Sequence, residues 1–410
     1  MKLTADSLSR LIAAHPSVLW VRLFGETLTS LSSAMIAPFL VLYLNEQIGG
    51  SISMTMLVIG LQPFSEILLT LLAGGVTDRF SRKTVMLVAL LLQCLAMLAM
   101  AQADSLAAFA LLYVVNGAGR SLFIPASRAH LADSIPAAKM AGSFALLNTA
   151  CNVGSALGPL AGVMLYRQEP SLAFLCTAAS LLLYAAVVWR KIPLGQAAAV
   201  QDKQSPSSSA AAAPGSWRAI RPALAIMLLS LPISLFYAQT ETNLQLHLKH
   251  IFPDYLQTLA TLASVKGVLL IVLEYWLVKR TQHLPARLLV SGAYVCFGIV
   301  ALGYAFLDTQ PALIALQLVW VIGESIGITQ WLAFVSRIAP PSMRGRYYAI
   351  TGTHWDISRT CGPYLGSLVL VQLGGAVLFA AAAALLLIGG WAMHAFLRKK
   401  EQAFPLEQEG

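Results

Sequence analysis

Charge is what this sequence has least of. Asp, Glu, Lys and Arg make up only 11% of its 410 residues, against about 25% in a soluble domain. A chain that is also 58% hydrophobic cannot cover a globule of this size with polar surface, which leaves a polytopic membrane protein. Other absences narrow the chemistry. There is no Gly-x4-Gly-Lys-Ser/Thr loop, so ATP is not the expected energy source. There is no Cys-x2-Cys either. Cys94, Cys151, Cys176, Cys296 and Cys361 stand singly in apolar runs, a spacing that fits neither zinc nor disulfides. The close pair His247 and His250 has no third ligand nearby. One Gly-x-Ser-x-Gly string, Gly323–Gly327, lies inside an apolar run and not at a strand-to-helix turn, so Ser325 lacks the hydrolase context. No loop is long enough to hold a soluble catalytic domain. Neither an enzyme, a cofactor nor a metal site is expected. Met1–His15 is largely polar and precedes a full-length apolar run, so it does not read as a cleavable signal.

What is present is a series of twelve apolar runs, near 17–43, 55–75, 84–103, 106–127, 142–166, 171–189, 219–247, 258–278, 288–307, 311–335, 347–371 and 374–396. Each can cross a hydrocarbon core about 30 Å thick as a helix. One break is long. Pro193–Trp217 carries Gln, Ser, Pro and an Ala run and reads as a flexible tether. The expected organisation is an N-terminal six-helix bundle over 1–192, a cytoplasmic linker over 193–217, a C-terminal six-helix bundle over 218–397 and a cytoplasmic tail over 398–410. The net charge of +9 would suggest nucleic acid in a soluble protein, but its distribution follows topology. With both termini in the cytoplasm, 21 of the 27 Lys and Arg residues fall on that side, two outside and four within spans. Such a skew is the mark of a multi-pass inner-membrane protein, and no nucleic-acid partner is expected.

The two halves repeat. Gly158-Pro159-x2-Gly162 recurs as Gly362-Pro363-x2-Gly366, 204 residues later, and the same offset carries Gly119-Arg120 onto Gly323-Glu324. An ungapped match over two spans indicates duplication. Gly154-x3-Gly158-Pro159-x2-Gly162 in the fifth span allows close backbone approach, and Pro159 removes the hydrogen bond to the Ser155 carbonyl and bends the helix. Gly362, Pro363 and Gly366 are expected to do the same in the eleventh.

Between the second and third spans the sequence reads Gly74-Gly-Val-Thr-Asp78-Arg79-Phe-Ser-Arg82-Lys83. This Gly-x3-Asp-Arg-x2-Arg-Lys pattern resembles the loop signature of the major facilitator superfamily. The resemblance implies a fold of two pseudo-symmetric six-helix bundles with a midplane site, and a gating role for Gly74, Asp78, Arg79, Arg82 and Lys83. Ser81 stands where that family usually has Gly. The Gly-Pro element of the fifth span is similar to the antiporter signature of proton-driven drug exporters, although Ala145 and Val163 replace two of its glycines. In the fourth span, Tyr113 stands where such proteins often carry Arg, and Arg120 is expected to take over the buried positive charge.

Ionisable groups at membrane depth are rare and usually functional. Glu324 lies midway along the tenth span with no base within a turn, and Glu241 lies in the seventh. Both resemble the coupling carboxylates of some multidrug exporters in this superfamily. Glu26 has Arg22 at helical spacing, and Asp356 has Arg359; both acids are carried as further proton-coupling candidates. Lys266 has no local partner, and a bridge to Glu241 is one possibility. A structural pairing of Glu324 with Arg120 or Lys266 is the alternative to a coupling role. The substrate cavity is expected to draw on Gln62, Glu66, Arg120, Asn148, Asn152, Tyr237, Gln239, Asn243, His354, Trp355 and Arg359, with Trp331 and Tyr364 as further aromatic faces for a lipophilic cation. The expected partners are a small-molecule substrate, protons and the lipid bilayer, with the protein acting as a monomer. The expected function is secondary active transport, with export of lipophilic cations driven by protons. Transport of one hydrophilic metabolite, such as metallophore export or sugar-type import, is the second expectation, and a non-transporting receptor or enzyme the third.

Overall fold

A computed structural model describes residues 17–403 apart from 50, 74–79, 135–136, 193–216, 282 and 341–342. The described residues are helical almost throughout, without a strand. Fourteen α-helices follow one another: α1 Ser17–Ile36, α2 Leu40–Tyr43, α3 Ile52–Ala73, α4 Arg82–Met100, α5 Leu106–Ser134, α6 Ala137–Gln168, α7 Leu172–Lys191, α8 Trp217–Glu241, α9 Asn243–Ile251, α10 Tyr255–Thr281, α11 Ala286–Phe306, α12 Gln310–Ile338, α13 Arg344–Leu373 and α14 Gly375–Ala403. Twelve of them, all but α2 and α9, are long enough to span a bilayer. Among the described residues nine pass on both length and apolarity, and a tenth does so when α1 is joined to α2. The two that remain are α6 and α13, the pair related by the Gly-Pro repeat. They are the polar members of the set because their sequences carry the asparagines, the histidine and the charged groups.

Local chemistry sets the breaks. Pro38 cannot continue α1, and the chain bends by 44° before α2 and a π-helical turn at Leu44–Ile48. Ser81 caps α4, its hydroxyl accepting from the Thr84 amide at 3.2 Å. The seventh span breaks at Thr242 into α8 and α9, where the Thr242 amide donates to the Gln239 carbonyl at 3.3 Å, a tighter turn than an α-helix makes. α14 runs on to Ala403, through the first residues of the expected tail. The expected linker lies outside the described residues except for Trp217, which begins α8.

The chain forms two compact units, Met1–Gly50 with Leu61–Gln201, and Ser51–Gly60 with Asp202–Gly410. In the first, α1 packs along α6 and α7, and α4 packs along α5 and α7. In the second, α8 packs along α13 and α14, and α11 packs along α12 and α14. The pairing scheme is the same, and α5 and α12 coincide in both bounds at the 204-residue offset.

Each unit buries an apolar core between these helices. In the first, Val85, Met86, Leu90 and Cys94 of α4 pack on Ala178, Leu181, Tyr184 and Val188 of α7. Lys83 ties the same two helices. It is buried, and its ammonium donates to the Trp189 carbonyl in the last turn of α7 at 2.7 Å. That contact favours a cation at a helix C-terminus and holds Lys83 in place as a clamp inside the first unit.

Candidate functional site

The Gly-Pro helices make close approaches in each unit. A Cβ on Gly158 would lie 2.7 Å from the Leu31 carbonyl of α1, and one on Gly154 would lie 2.6 Å from the Thr27 carbonyl, so α6 and α1 meet backbone to backbone. In the second unit, side chains fill the equivalent space. Gln239 donates to the Gly362 carbonyl at 2.9 Å, and Asn243 donates to Gln239 at 2.6 Å and to the Pro363 carbonyl at 3.1 Å. Both amides are buried. Gln239 and Asn243, expected in a substrate cavity, instead fasten α8 and α9 to α13. Ser234 extends the seam, bonding the Ser358 hydroxyl at 2.7 Å and the His354 carbonyl at 3.1 Å.

Two ion pairs of the first unit bear on the site. Arg22 reaches Glu26 at 3.6 Å and donates to the Tyr184 hydroxyl at 2.8 Å. Arg120 donates through Nε to Glu66 at 2.8 Å, and Gln62 donates to the same carboxylate oxygen at 3.0 Å. Arg120 is therefore engaged by Glu66, a pairing that its sequence position does not announce. Arg22, Glu26 and Arg120 line a cavity of about 480 Å³ together with Arg128, Asn116 and several hydroxyls. The hydroxyls of Thr29, Ser32, Ser127 and Thr177 donate to carbonyls of their own helices. Asn152 is half-buried on α6, whereas Gly74, Asp78, Arg79 and the side chain of Asn148 lie outside the described residues.

The acids of the second unit are held differently. Glu324, half-buried on α12, accepts from the Trp320 indole N–H one turn earlier at 2.6 Å. No basic side chain among the described residues forms an ion pair with it. Its surroundings are aromatic. Trp320 is 1% exposed and packs against Phe236, Tyr237 and Phe297, with ring centroids 5.3, 4.8 and 5.4 Å away. Lys266 places its ammonium 4.9 Å from the Trp320 ring centroid, a cation–π contact. Lys266 thus faces the ring that holds Glu324, and Glu241 is bridged by Arg359 at 3.4 Å. Glu241 and Arg359 are each about half exposed, and Asp356 lies on the exposed side of α13.

Trp355 meets Tyr237 edge to face at 5.1 Å and packs tilted against the buried His354 at 5.0 Å. Trp355 and His354, together with Trp331, which donates to Ser230 at 3.0 Å, line a second cavity of about 130 Å³. Reading the sequence missed Trp320 and Tyr184. For Trp320 the signal was present, an indole four residues before a lone acid on one helix. For Tyr184, 162 residues from Arg22, no local pattern exists.

Twelve membrane-length helices among the described residues, all but two of them strongly apolar, in a duplicated arrangement with acids and bases held inside them define a multi-pass membrane transporter. The pattern of the Major Facilitator Superfamily matches residues 23–360 and 284–410, and the chain belongs to that family. It is a secondary transporter of small molecules and not an enzyme. It is 44% identical to the MFS-type transporter YhjO of Bacillus subtilis over 93% of each chain. It is 28% identical to a Na(+), Li(+), K(+)/H(+) antiporter of Planococcus maritimus, over 84% of this chain and 87% of that one. It is 24% identical to the multidrug resistance protein MdtG of Salmonella typhimurium, over 94% and 96%. Among solved structures, a POT family transporter in complex with a thioalcohol-conjugated peptide superposes with a TM-score of 0.79 at 11% identity, over 94% of this chain and 97% of that one. That likeness is one of fold.

Proposed function

We propose that the protein is a proton-coupled antiporter of the bacterial inner membrane that exports lipophilic, often cationic, small molecules by alternating access. The observation that carries this reading is Glu324, a carboxylate at the middle of α12 held by an indole N–H and aromatic rings, with no counter-ion among the described residues. An acid at membrane depth without a fixed partner is suited to taking up and releasing a proton. While charged, it attracts a cation among the aromatic faces of Tyr237, Trp320 and Trp355. Protonation removes that attraction and the substrate leaves. The Glu241–Arg359 pair is open enough to exchange partners during the cycle, and Asp356 and Glu26 are the further coupling candidates. Asp78, Arg79 and Arg82 carry the gating role implied by their motif. The proton gradient supplies the drive, about 2.3 kcal/mol per charge for each 100 mV. The names of the Salmonella and Planococcus relatives support drug export and proton exchange respectively.

The test uses everted membrane vesicles acidified inside. A dye cation accumulates in the wild type, a protonophore abolishes the accumulation, and Glu324→Gln loses uphill uptake while keeping downhill exchange. Uphill uptake unchanged by Glu324→Gln removes the coupling role. The polar cavity of the first unit favours a second reading, transport of a hydrophilic metabolite, under which the acidified vesicles accumulate no lipophilic dye.

A further inference from the structure

In the cavity of the first unit the exposed cationic donors lie on one helix, α5, while Ser30 and Ser33 of α1 and Ser155 of α6 add hydroxyls to the lining. The hydroxyls of Thr29, Ser32, Ser127 and Thr177 already donate to their own helices. Arg22 is buried, with its terminal nitrogens on Tyr184 and Glu26 and only its Nε unbonded, so little of its guanidinium is open to a ligand. Arg120 is different. A guanidinium has five N–H groups, and Arg120 engages Glu66 with Nε alone, leaving both terminal nitrogens without a partner among the described residues. Its side chain is 39% exposed, so these groups are accessible. Arg128, also exposed and without a partner among the described residues, follows eight residues later, about 12 Å along the same helix. Asn116, one turn before Arg120, is 2% exposed, lines the same cavity and leaves its amide nitrogen unbonded. Glu26 is the lone acid in the lining among the described residues. α5 therefore presents a row of unmatched donors, two of them cationic.

We propose that this cavity is a binding subsite for an oxyanion group, a carboxylate or a phosphate ester, carried on a small amphiphilic molecule, with Arg120 as the fork that binds it and Arg128 as the charge that draws it in. A planar guanidinium with two free nitrogens matches two oxygens of such a group, and an exposed cation at the mouth raises its local concentration. Cargo for this protein then includes amphiphilic anions and zwitterions as well as cations. The proposal deepens the transport reading and rests on it only for the claim that the bound molecule is cargo.

Binding and transport are therefore measured separately. Purified full-length protein is titrated calorimetrically with benzoate, phenyl phosphate, benzamide and benzylamine, which share a ring and differ in the polar group. At least one of the two anions is expected to bind about tenfold tighter than benzamide, the size of one charged hydrogen bond, and benzylamine binding is expected to be unchanged by the substitutions below. The stronger anion identifies the group. Arg128→Gln removes an exposed side chain with no partner, leaves the fold intact and lowers anion affinity several-fold. The double variant Glu66→Gln/Arg120→Gln removes the fork without leaving a lone charge and abolishes the preference. Equal affinity for anions and benzamide, or an anion preference that survives in both variants, overturns the subsite while leaving the dye-efflux result untouched. Anion binding with these mutational effects supports it even where the vesicles show no dye uptake.

Discussion

Arg120 and Glu324 occupy equivalent positions in the two units, 204 residues apart on helices with matching bounds, and they carry opposite charges. Their surroundings differ just as much. Arg120 has a carboxylate, Glu66, at 2.8 Å; Glu324 has an indole N–H at 2.6 Å and no ion pair among the described residues. The residues one turn earlier, Asn116 and Trp320, are also equivalent, and only the tryptophan reaches its neighbour. A duplicated scaffold has kept its helix pairings while its central ionisable position diverged, a cation held by a carboxylate through Nε alone in one unit and an acid without an ion pair among the described residues in the other. The Gly-Pro crossings diverged too: backbone against backbone at Gly158, amide side chains over backbone at Gly366.

The crossings give the largest expected effect. Gly158→Ala sets a methyl 2.7 Å from the Leu31 carbonyl, which cannot move without parting α1 from α6. A cost of about 3 kcal/mol is expected, the upper end for overpacking. At Gly366 the added methyl displaces the Gln239 and Asn243 side chains, and about 1–2 kcal/mol is lost with their hydrogen bonds. Thermal unfolding of both variants in detergent checks the order, and equal losses would erase the distinction between the crossings.

The next effect separates the two charges. Arg120→Leu leaves Glu66 without its cation, and because that carboxylate is about a quarter exposed the expected cost is roughly 2 kcal/mol, below that of a fully buried orphan. Glu324→Gln breaks no ion pair among the described residues and is expected to cost under about 1 kcal/mol. Denaturation of the two variants side by side decides this, and a Glu324→Gln protein less stable than Arg120→Leu would mean that Glu324 is structural. Gln239→Leu falls between these two, at about 1–2 kcal/mol, from loss of its bond to Gly362 and of the one it accepts from Asn243; a larger defect in transport than in stability would return Gln239 to the substrate path.

How far the sequence could be read depends on the range of each interaction. Membrane class, helix count and duplication were legible because they rest on runs of about 20 residues and on a fixed offset. The Arg22–Glu26 pair was legible because i,i+4 spacing places the two on one helix face. What could not be read were partners fixed by tertiary packing. Glu66 lies 54 residues from Arg120, and Arg359 lies 118 from Glu241; sequence spacing carries no record of either. Gln239 and Asn243 resembled cavity residues because a buried amide reads the same whether it awaits a ligand or holds a backbone carbonyl. Lys83 fell within a loop motif whose basic residues looked alike, and only packing separates its place on the Trp189 carbonyl from the rest.

The measurement closest to the centre is the protons released when substrate binds the purified transporter, read with an indicator dye in weakly buffered solution. Release that persists in Glu26→Gln, Glu66→Gln and Glu241→Gln and vanishes in Glu324→Gln is the expected result. Release unchanged by Glu324→Gln, and lost instead from one of the other three, would contradict the assignment of the coupled proton to α12.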